Sequence, residues 1–453
     1  MTFLGYKVDF NSGVFYTLLS KFWSVLSGPI TSFVIAIYFT SVYQGYFYTF
    51  NTLLSLQIFI ELGLGSVIQF FASHEWGNLY LNKENRIEGD YNSLNRLRSL
   101  ARISFKWFFW GGVIAALIIS IIGFYFFTTN ATNGAHVNWK IPWLVLSVLT
   151  GLNLMLTPFW AILEGCNQVK KVYSFRFIQG MLFTMTLWIS IIFKAGLWAA
   201  CFASSASLVV SFFFIFKKHF YFFFDLFIEK SFGPAVIQWQ KDILPMQWKV
   251  AVSWVSNYFA FYLFIPILFK FQGAEIAGKF GMSWNIALAL GSFSSSWVIA
   301  NTPKFGMLIS QENYIELDRL LWKMFKITSF TLILLSLLFM GFVWVFKNFN
   351  FFYIHRLISR LLDPFALCFL FAGQYFFFIS TPFSTYLRAH KKEPLLGFNL
   401  VIGISVSICT YLLAKFYSVN AVTVGYFIIS ILGFPWLLLI WSRFRGSLIQ
   451  SNQ

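Results

Sequence analysis

Residues 327–346 read ITSFTLILLSLLFMGFVWVF, twenty positions without a charge. At a rise of about 1.5 Å per residue such a run makes a helix of about 30 Å, the thickness of a bilayer's hydrocarbon core. Lipid offers no partner to backbone polar groups, so a run of this length closes its hydrogen bonds within itself as a helix and is too long for a barrel strand.

The span that contains this run is placed at 325–346. Working outward, eleven further spans are expected at 16–40, 43–72, 105–127, 141–163, 173–193, 195–216, 248–269, 280–303, 364–387, 395–414 and 419–441. The chain is 58% hydrophobic with a mean hydropathy of +0.71, far above a soluble domain. The expected fold is an all-α integral membrane protein of about 12 transmembrane helices in two pseudo-symmetric six-helix bundles.

With the N-terminus inside, 24 of the 33 Lys and Arg residues fall in inner loops, eight in outer loops, and Lys21 lies within the first span. The positive-inside rule then puts both termini in the cytoplasm. A net charge of +17 would suggest nucleic acid in a soluble protein, but these cations are spread over every inner loop instead of forming one patch. No nucleic-acid partner is expected. The first apolar run is too long for a cleavable signal and is followed by eleven more.

Catalysis has little to stand on. There is no GxxxxGK[ST] phosphate loop, no HExxH and no CxxC, and the five histidines at 74, 136, 219, 355 and 390 lie in loops or the linker. No catalytic residue, cofactor or metal is expected. Cys166, Cys201, Cys368 and Cys409 read as packing residues, and the 61 phenylalanines as apolar filling.

Three matches relate the two halves. Thr157-Pro158-Phe159 recurs as Thr381-Pro382-Phe383, each with Leu four residues after the proline's neighbour Phe and a Lys-Lys turn beyond, at Lys170-Lys171 and Lys391-Lys392. Ser73-His74-Glu75 and Ser310-Gln311-Glu312 each precede a Leu-[Asn/Asp]-Arg-Leu stretch, at 94–97 and 317–320. The expected organisation is an N-terminal bundle at 1–216, an interfacial linker at 217–247 and a C-terminal bundle at 248–453. Six spans per half is an even number, so both halves enter the membrane in the same sense and a substrate path would lie between them.

Polar stripes at helical spacing mark which spans line such a path. They are Lys21, Ser24, Gly28, Thr31 and Ser32 in span one; Asn51, Ser55, Gln57 and Glu61 in span two; Lys249, Ser253 and Asn257 in span seven; and Asn285, Ser292, Ser295, Ser296 and Asn301 in span eight. These are equivalent helices of the two halves. Small and hydroxyl residues also serve ordinary helix packing.

Lys21 and Glu61 are the charges most clearly inside the membrane, where ionisable groups are costly. Two readings stay open: they pair with each other across spans one and two, or Lys21 meets an anionic substrate while Glu61 carries a coupling proton or sodium ion. Gly63 and Gly65, within Glu61-Leu62-Gly63-Leu64-Gly65, read as close helix packing. Lys270 and Glu275 read as a solvated outer turn.

The stretch from Pro245 to Trp254, with Pro266, Phe269 and Gly273-Ala274-Glu275-Ile276-Ala277-Gly278-Lys279-Phe280-Gly281-Met282, resembles bacterial polysaccharide flippases of the Wzx type. These belong to the multidrug/oligosaccharidyl-lipid/polysaccharide exporter (MOP) superfamily. Glu61-Leu62-Gly63-Leu64-Gly65, the Leu163-Glu164-Gly165-Cys166-Asn167-Gln168 turn with Arg176 and Gln179, and Asn301-Thr302-Pro303-Lys304-Phe305-Gly306 are similar too. The resemblance covers nearly the whole chain. It implies a MATE-like bundle with spans one, two, seven and eight around a cationic cavity. It also implies flipping of isoprenoid-pyrophosphate-linked sugar repeat units for O-antigen or other surface polysaccharide across the bacterial inner membrane, alongside polymerase and assembly proteins. Relatives line that cavity with several Arg; here Lys21, Lys249 and Arg176 are the available cations.

The competing readings are a cation-coupled multidrug exporter of the same superfamily and an integral-membrane polymerase or glycosyltransferase. An exporter of cations needs buried carboxylates, and of 16 acids only Glu61 is clearly within a span. A polymerase needs a large outer loop, and the outer loops here are short.

Overall fold

The computed structural model describes residues 2–3, 6–7, 13–82, 86–130, 137–227, 237–347, 352–390 and 394–451. Apart from two short antiparallel hairpins, Thr2–Phe3 with Tyr6–Lys7 and Leu79–Leu81 with Ile87–Gly89, the regular structure is helical.

Each expected span overlaps a helix or a run of consecutive helices, and the seventh, 248–269, crosses from one helix into the next. The first is α1 (Gly13–Tyr38); the second is built of α2 (Ser41–Leu54), α3 (Ile58–Glu61) and α4 (Leu64–Trp76); the third is α5 (Tyr91–Asn130). The fourth is α6 (Lys140–Met155) with α7 (Thr157–Gly165), followed by α8 (Val169–Ile192) and α9 (Trp198–Lys218). After the short α10 (Phe220–Phe227) come α11 (Leu244–Phe261) and α12 (Phe264–Ser310), the latter turned at Gly273, then α13 (Tyr314–Lys347) and the short α14 (Phe352–Ser359). The chain finishes with α15 (Pro364–Ile379), α16 (Thr381–Ala389), α17 (Leu396–Phe416) and α18 (Val419–Ser451). Judged by length and apolarity alone, eight helices among the described residues can cross a membrane, or nine if the bent pair in span two is one span.

The Thr-Pro-Phe repeat is a repeat of helix breaks. α6 and α15 each have 16 residues, α7 and α16 each have nine, and both of the shorter helices open on Thr-Pro-Phe. Proline lacks an amide proton and fits best in a first turn, and Pro158 and Pro382 stand in the first turns of α7 and α16, just where α6 and α15 have ended.

The chain forms two compact units: Met1–Ser27 with Leu53–Val255, and Gly28–Thr52 with Ser256–Gln453. α1, α2 and α11 each contribute residues to both. In unit 1 the core is aromatic, with Phe175 stacked against both Trp160 and Phe214 at 4.8 and 4.3 Å and Trp143 fully buried. The linker's α10 is seated in this unit. Its Phe223 and Phe227 face Phe105 of α5, and Asp225 accepts from the Arg86 guanidinium at 3.2 Å while its carbonyl accepts from Arg98 at 3.0 Å.

In unit 2 the core gathers Val298, Phe305, Leu317, Leu321, Phe383, Leu387 and Trp441. At another crossing in this unit α2 meets α12 backbone to backbone. A side chain at Gly45 would stand 1.9 Å from the Ala274 carbonyl oxygen, so only glycine allows the approach. The Gln44 amide closes that crossing by donating to the carbonyls of Gly278 at 2.9 Å and Arg360 at 3.2 Å, and Arg360 donates to Phe39 O at 2.8 Å.

Candidate functional site

The second span is broken where the sequence reads Glu61-Leu62-Gly63. α2 passes through a 3-10 turn, Ser55–Gln57, into α3, which ends at Glu61; Leu62 (φ 48°) and Gly63 (φ 69°) are both left-handed, and α4 leaves at 46°. A left-handed pair cannot continue the hydrogen-bond ladder, so the Leu62 carbonyl is released. It is taken up by the side-chain amide of Gln247, at 2.8 Å. Broken helices persist at membrane depth only where protein groups satisfy the freed backbone in this way.

Gly63 combines both uses of glycine. Its φ is one that side chains rarely adopt, and a Cβ there would meet Val250 Cγ1 at 2.5 Å and Trp254 Nε1 at 2.8 Å. The close packing expected of this glycine is present within unit 1, together with a bend that the expectation did not include.

Glu61 is half-buried at the carboxyl end of α3. Among the described residues its carboxylate has no hydrogen-bond or ion-pair partner. The carbonyls at a helix C-terminus carry partial negative charge, so a carboxylate placed there favours a cation or a proton beside it.

Arg176, on α8, forms an ion pair of 2.6 Å with Glu164 of α7, and its guanidinium lies 5.3 Å over the Tyr173 ring. The Glu164 side chain is 8% exposed and that of Arg176 42%. Both Glu61 and Arg176 belong to unit 1, but the structure commits Arg176 to Glu164. Asn51 and Asn285 belong to unit 2 and are exposed. The Asn285 amide donates back to Gly281 O at 2.8 Å, and the hydroxyls of Ser294, Ser295 and Ser296 likewise bond carbonyls of their own helix. The side chains of Lys21, Lys249, Ser253 and Asn257 lie outside the described residues. In span one, Ser27 and Ser32 are buried, and Ser32 bonds the Tyr48 hydroxyl.

Sequence reasoning missed a set of carboxylate–arginine pairs. Glu75 accepts from Arg96 at 2.8 Å and Asp225 from Arg86, Glu164 forms an ion pair with Arg176 and Asp318 one with Arg445, and each of these carboxylates is 15% exposed or less. The signal for one was present, since Glu164 and Arg176 flank a single turn. The others join residues too far apart in the chain for spacing to reveal.

His219, the C-cap of α9, is also buried. Its ring lies 5.0 Å from that of Phe214, Nε2 has no hydrogen-bond partner, and burial with the nearby cations Lys171 and Lys218 pushes its pKa down to about 4.

No family model matches the chain, and no curated protein matches it. Solved structures do. An inward-facing multidrug resistance MATE family transporter of the MOP superfamily matches at 16% identity over 97% of each chain, with a TM-score of 0.61. Lipid II flippase MurJ in an inward closed conformation matches at 16% identity over 94% of this chain and 87% of that one, TM-score 0.65. A MOP superfamily transporter from Pyrococcus furiosus matches at 14% identity over 94% of both chains, TM-score 0.55. The chain has the all-α membrane fold of these MOP superfamily transporters.

Proposed function

We propose that the chain is a transporter that flips isoprenoid-pyrophosphate-linked oligosaccharide repeat units across the bacterial cytoplasmic membrane, by alternating access between two six-helix bundles and with both termini cytoplasmic. The product would feed O-antigen or another surface polysaccharide, in company with polymerase and assembly proteins. The observation that carries this reading is the charge balance. Glu75, Glu164, Asp225 and Asp318, each 15% exposed or less, are paired with arginine in a chain whose net charge is +17, which offers little to draw in a cationic substrate.

The fold is shared with a lipid II flippase and with multidrug transporters. A pyrophosphate bearing sugars cannot cross hydrocarbon unaided, so the protein must offer a hydrogen-bonding, positively charged path while the lipid tail stays in the bilayer. In this reading Lys21 and Lys249 supply point charges that capture and release phosphate, and Asn51, Ser253, Asn257 and Asn285 supply hydrogen bonds. Arg176, already paired with Glu164, stands last in the set. Glu61 carries the coupling ion.

The test is a reconstituted vesicle assay with a fluorescent isoprenoid-pyrophosphate oligosaccharide. Protein-dependent movement between leaflets, lost on Lys21→Ala at unchanged protein level, is the expected result. The placement of Glu61 at a helix C-terminus favours a second reading, a cation-coupled multidrug exporter. Ethidium efflux without movement of the lipid-linked sugar would establish that reading and refute the first.

A further inference from the structure

The amino-terminal turns of α13 carry a cluster that none of the proposed transport chemistry uses. Arg319, Trp322, Lys323, Lys326 and Ile327 line one shallow, open depression on unit 2. Positions 319, 322, 323 and 326 recur at helical spacing and so share one face of the helix. The same face continues as Phe330, Ile333, Leu334, Leu337 and Leu338, all exposed, Phe330 at 67% and Leu337 at 66%. A row of cations therefore runs directly into a strip of uncovered apolar side chains.

The indole between them is held in place. Trp322 packs edge-on against Phe325, Phe383 and Trp441, yet keeps 42% of its surface exposed. A fixed, half-exposed tryptophan marks the depth of a headgroup boundary. The acids nearby are occupied: Glu316 pairs with Arg319, and Asp318 with Arg445. Lys323 and Lys326 form no ion pair with any described residue. Membrane topology accounts for basic residues somewhere in this loop; it does not account for their lining one shallow depression at the head of an open apolar strip.

We propose that this site binds the phosphate headgroup of an anionic phospholipid in the leaflet that the amino-terminal end of α13 meets. Lys323 and Lys326 hold the phosphate, Trp322 sits at the glycerol level, and an acyl chain lies along Phe330, Leu334 and Leu337. A headgroup without a tail would leave the apolar strip unused, which is why the lipid and not free phosphate is the ligand.

Native mass spectrometry of the detergent-purified full chain, titrated with phosphatidylglycerol, reads the site. Substituting both Lys323→Ala and Lys326→Ala is expected to weaken binding of the tightest phosphatidylglycerol by roughly thirty-fold, from about a factor of five per near-surface cation. Phosphatidylcholine binding should not change, and millimolar inorganic phosphate should not displace the lipid. The pair Lys323→Arg and Lys326→Arg should retain binding, which separates lost charge from lost folding. Equal phosphatidylglycerol affinity in the double alanine variant overturns the proposal. So does full displacement by inorganic phosphate, which would make this a site for the free anion.

Discussion

The side-chain amide of Gln247 donates to the main-chain carbonyl of Leu62 over 2.8 Å, so a residue of α11 satisfies the backbone that the break in the second span releases. Gln247 is itself 6% exposed. Replacing it with methionine keeps the volume and removes the donor. The expected loss is about 1 kcal/mol, typical of one buried or intramembrane hydrogen bond. Thermal unfolding in detergent measures it; an unchanged midpoint would show that the break is held by other means.

At Gly63 the cost should be larger. Alanine there must adopt a left-handed φ, costing about 1–2 kcal/mol, and must also displace Val250 Cγ1 and the Trp254 indole. Gly63→Ala is expected to lower stability by about 2–4 kcal/mol, with Val250→Ala restoring part but not all of it. Full restoration by Val250→Ala would locate the entire cost in the clash and none in the backbone.

The helices and the Thr-Pro-Phe repeat could be read from sequence because each depends on neighbours within a turn or two. Twenty uncharged residues at 327–346 have one solution in lipid, and Pro158 and Pro382 each stand in the first turn of a new helix, where proline is best accommodated. The bend at Leu62–Gly63 was not legible in this way. The same glycine suits a straight helix packed closely and a left-handed break, and the choice is made by Val250, Trp254 and Gln247, nearly two hundred residues away. Arg176 illustrates the same limit at the candidate site. As a cation at an inner helix end it resembles a substrate ligand, and only the folded turn brings Glu164 to within 2.6 Å of it.

That pairing is open to a double-mutant test. Arg176→Ala leaves the buried Glu164 carboxylate without its counter-charge, for an expected loss of about 1–3 kcal/mol given that Arg176 is partly solvent-screened. Adding Glu164→Gln removes the stranded charge and should return most of the stability. If transport returns with it, the pair is structural; if stability returns and transport does not, Arg176 contacts the substrate.

His219 gives the fold a pH dependence of known sign. Its folded pKa of about 4 lies below the ordinary value of 6.5, so between these two values the unfolded chain binds a proton that the folded chain excludes. Stability should therefore fall as pH drops from 6.5 toward 4, by up to about 1.4 kcal/mol per pH unit from this residue. His219→Phe keeps the ring beside Phe214 and Phe222 and should flatten that slope. Thermal midpoints across the range measure both, and equal slopes would exclude His219 as the source.

Glu61 is the carboxylate that the Arg pairing leaves over within a span. It ends α3, where the terminal carbonyls add negative charge, and no described side chain compensates it. In the proposed transport cycle an ion or proton is its counterpart, and the bend immediately after it is where binding would be coupled to a change in helix direction. Glu61→Gln keeps the shape and removes the charge. Because the glutamine is neutral at every pH, transport in vesicles should lose its dependence on an imposed proton or sodium gradient while the purified protein keeps its melting temperature within about 1 kcal/mol of stability. Retained gradient dependence would return Glu61 to a structural role. A large loss of stability would instead point to a buried counter-charge that the glutamine leaves unpaired.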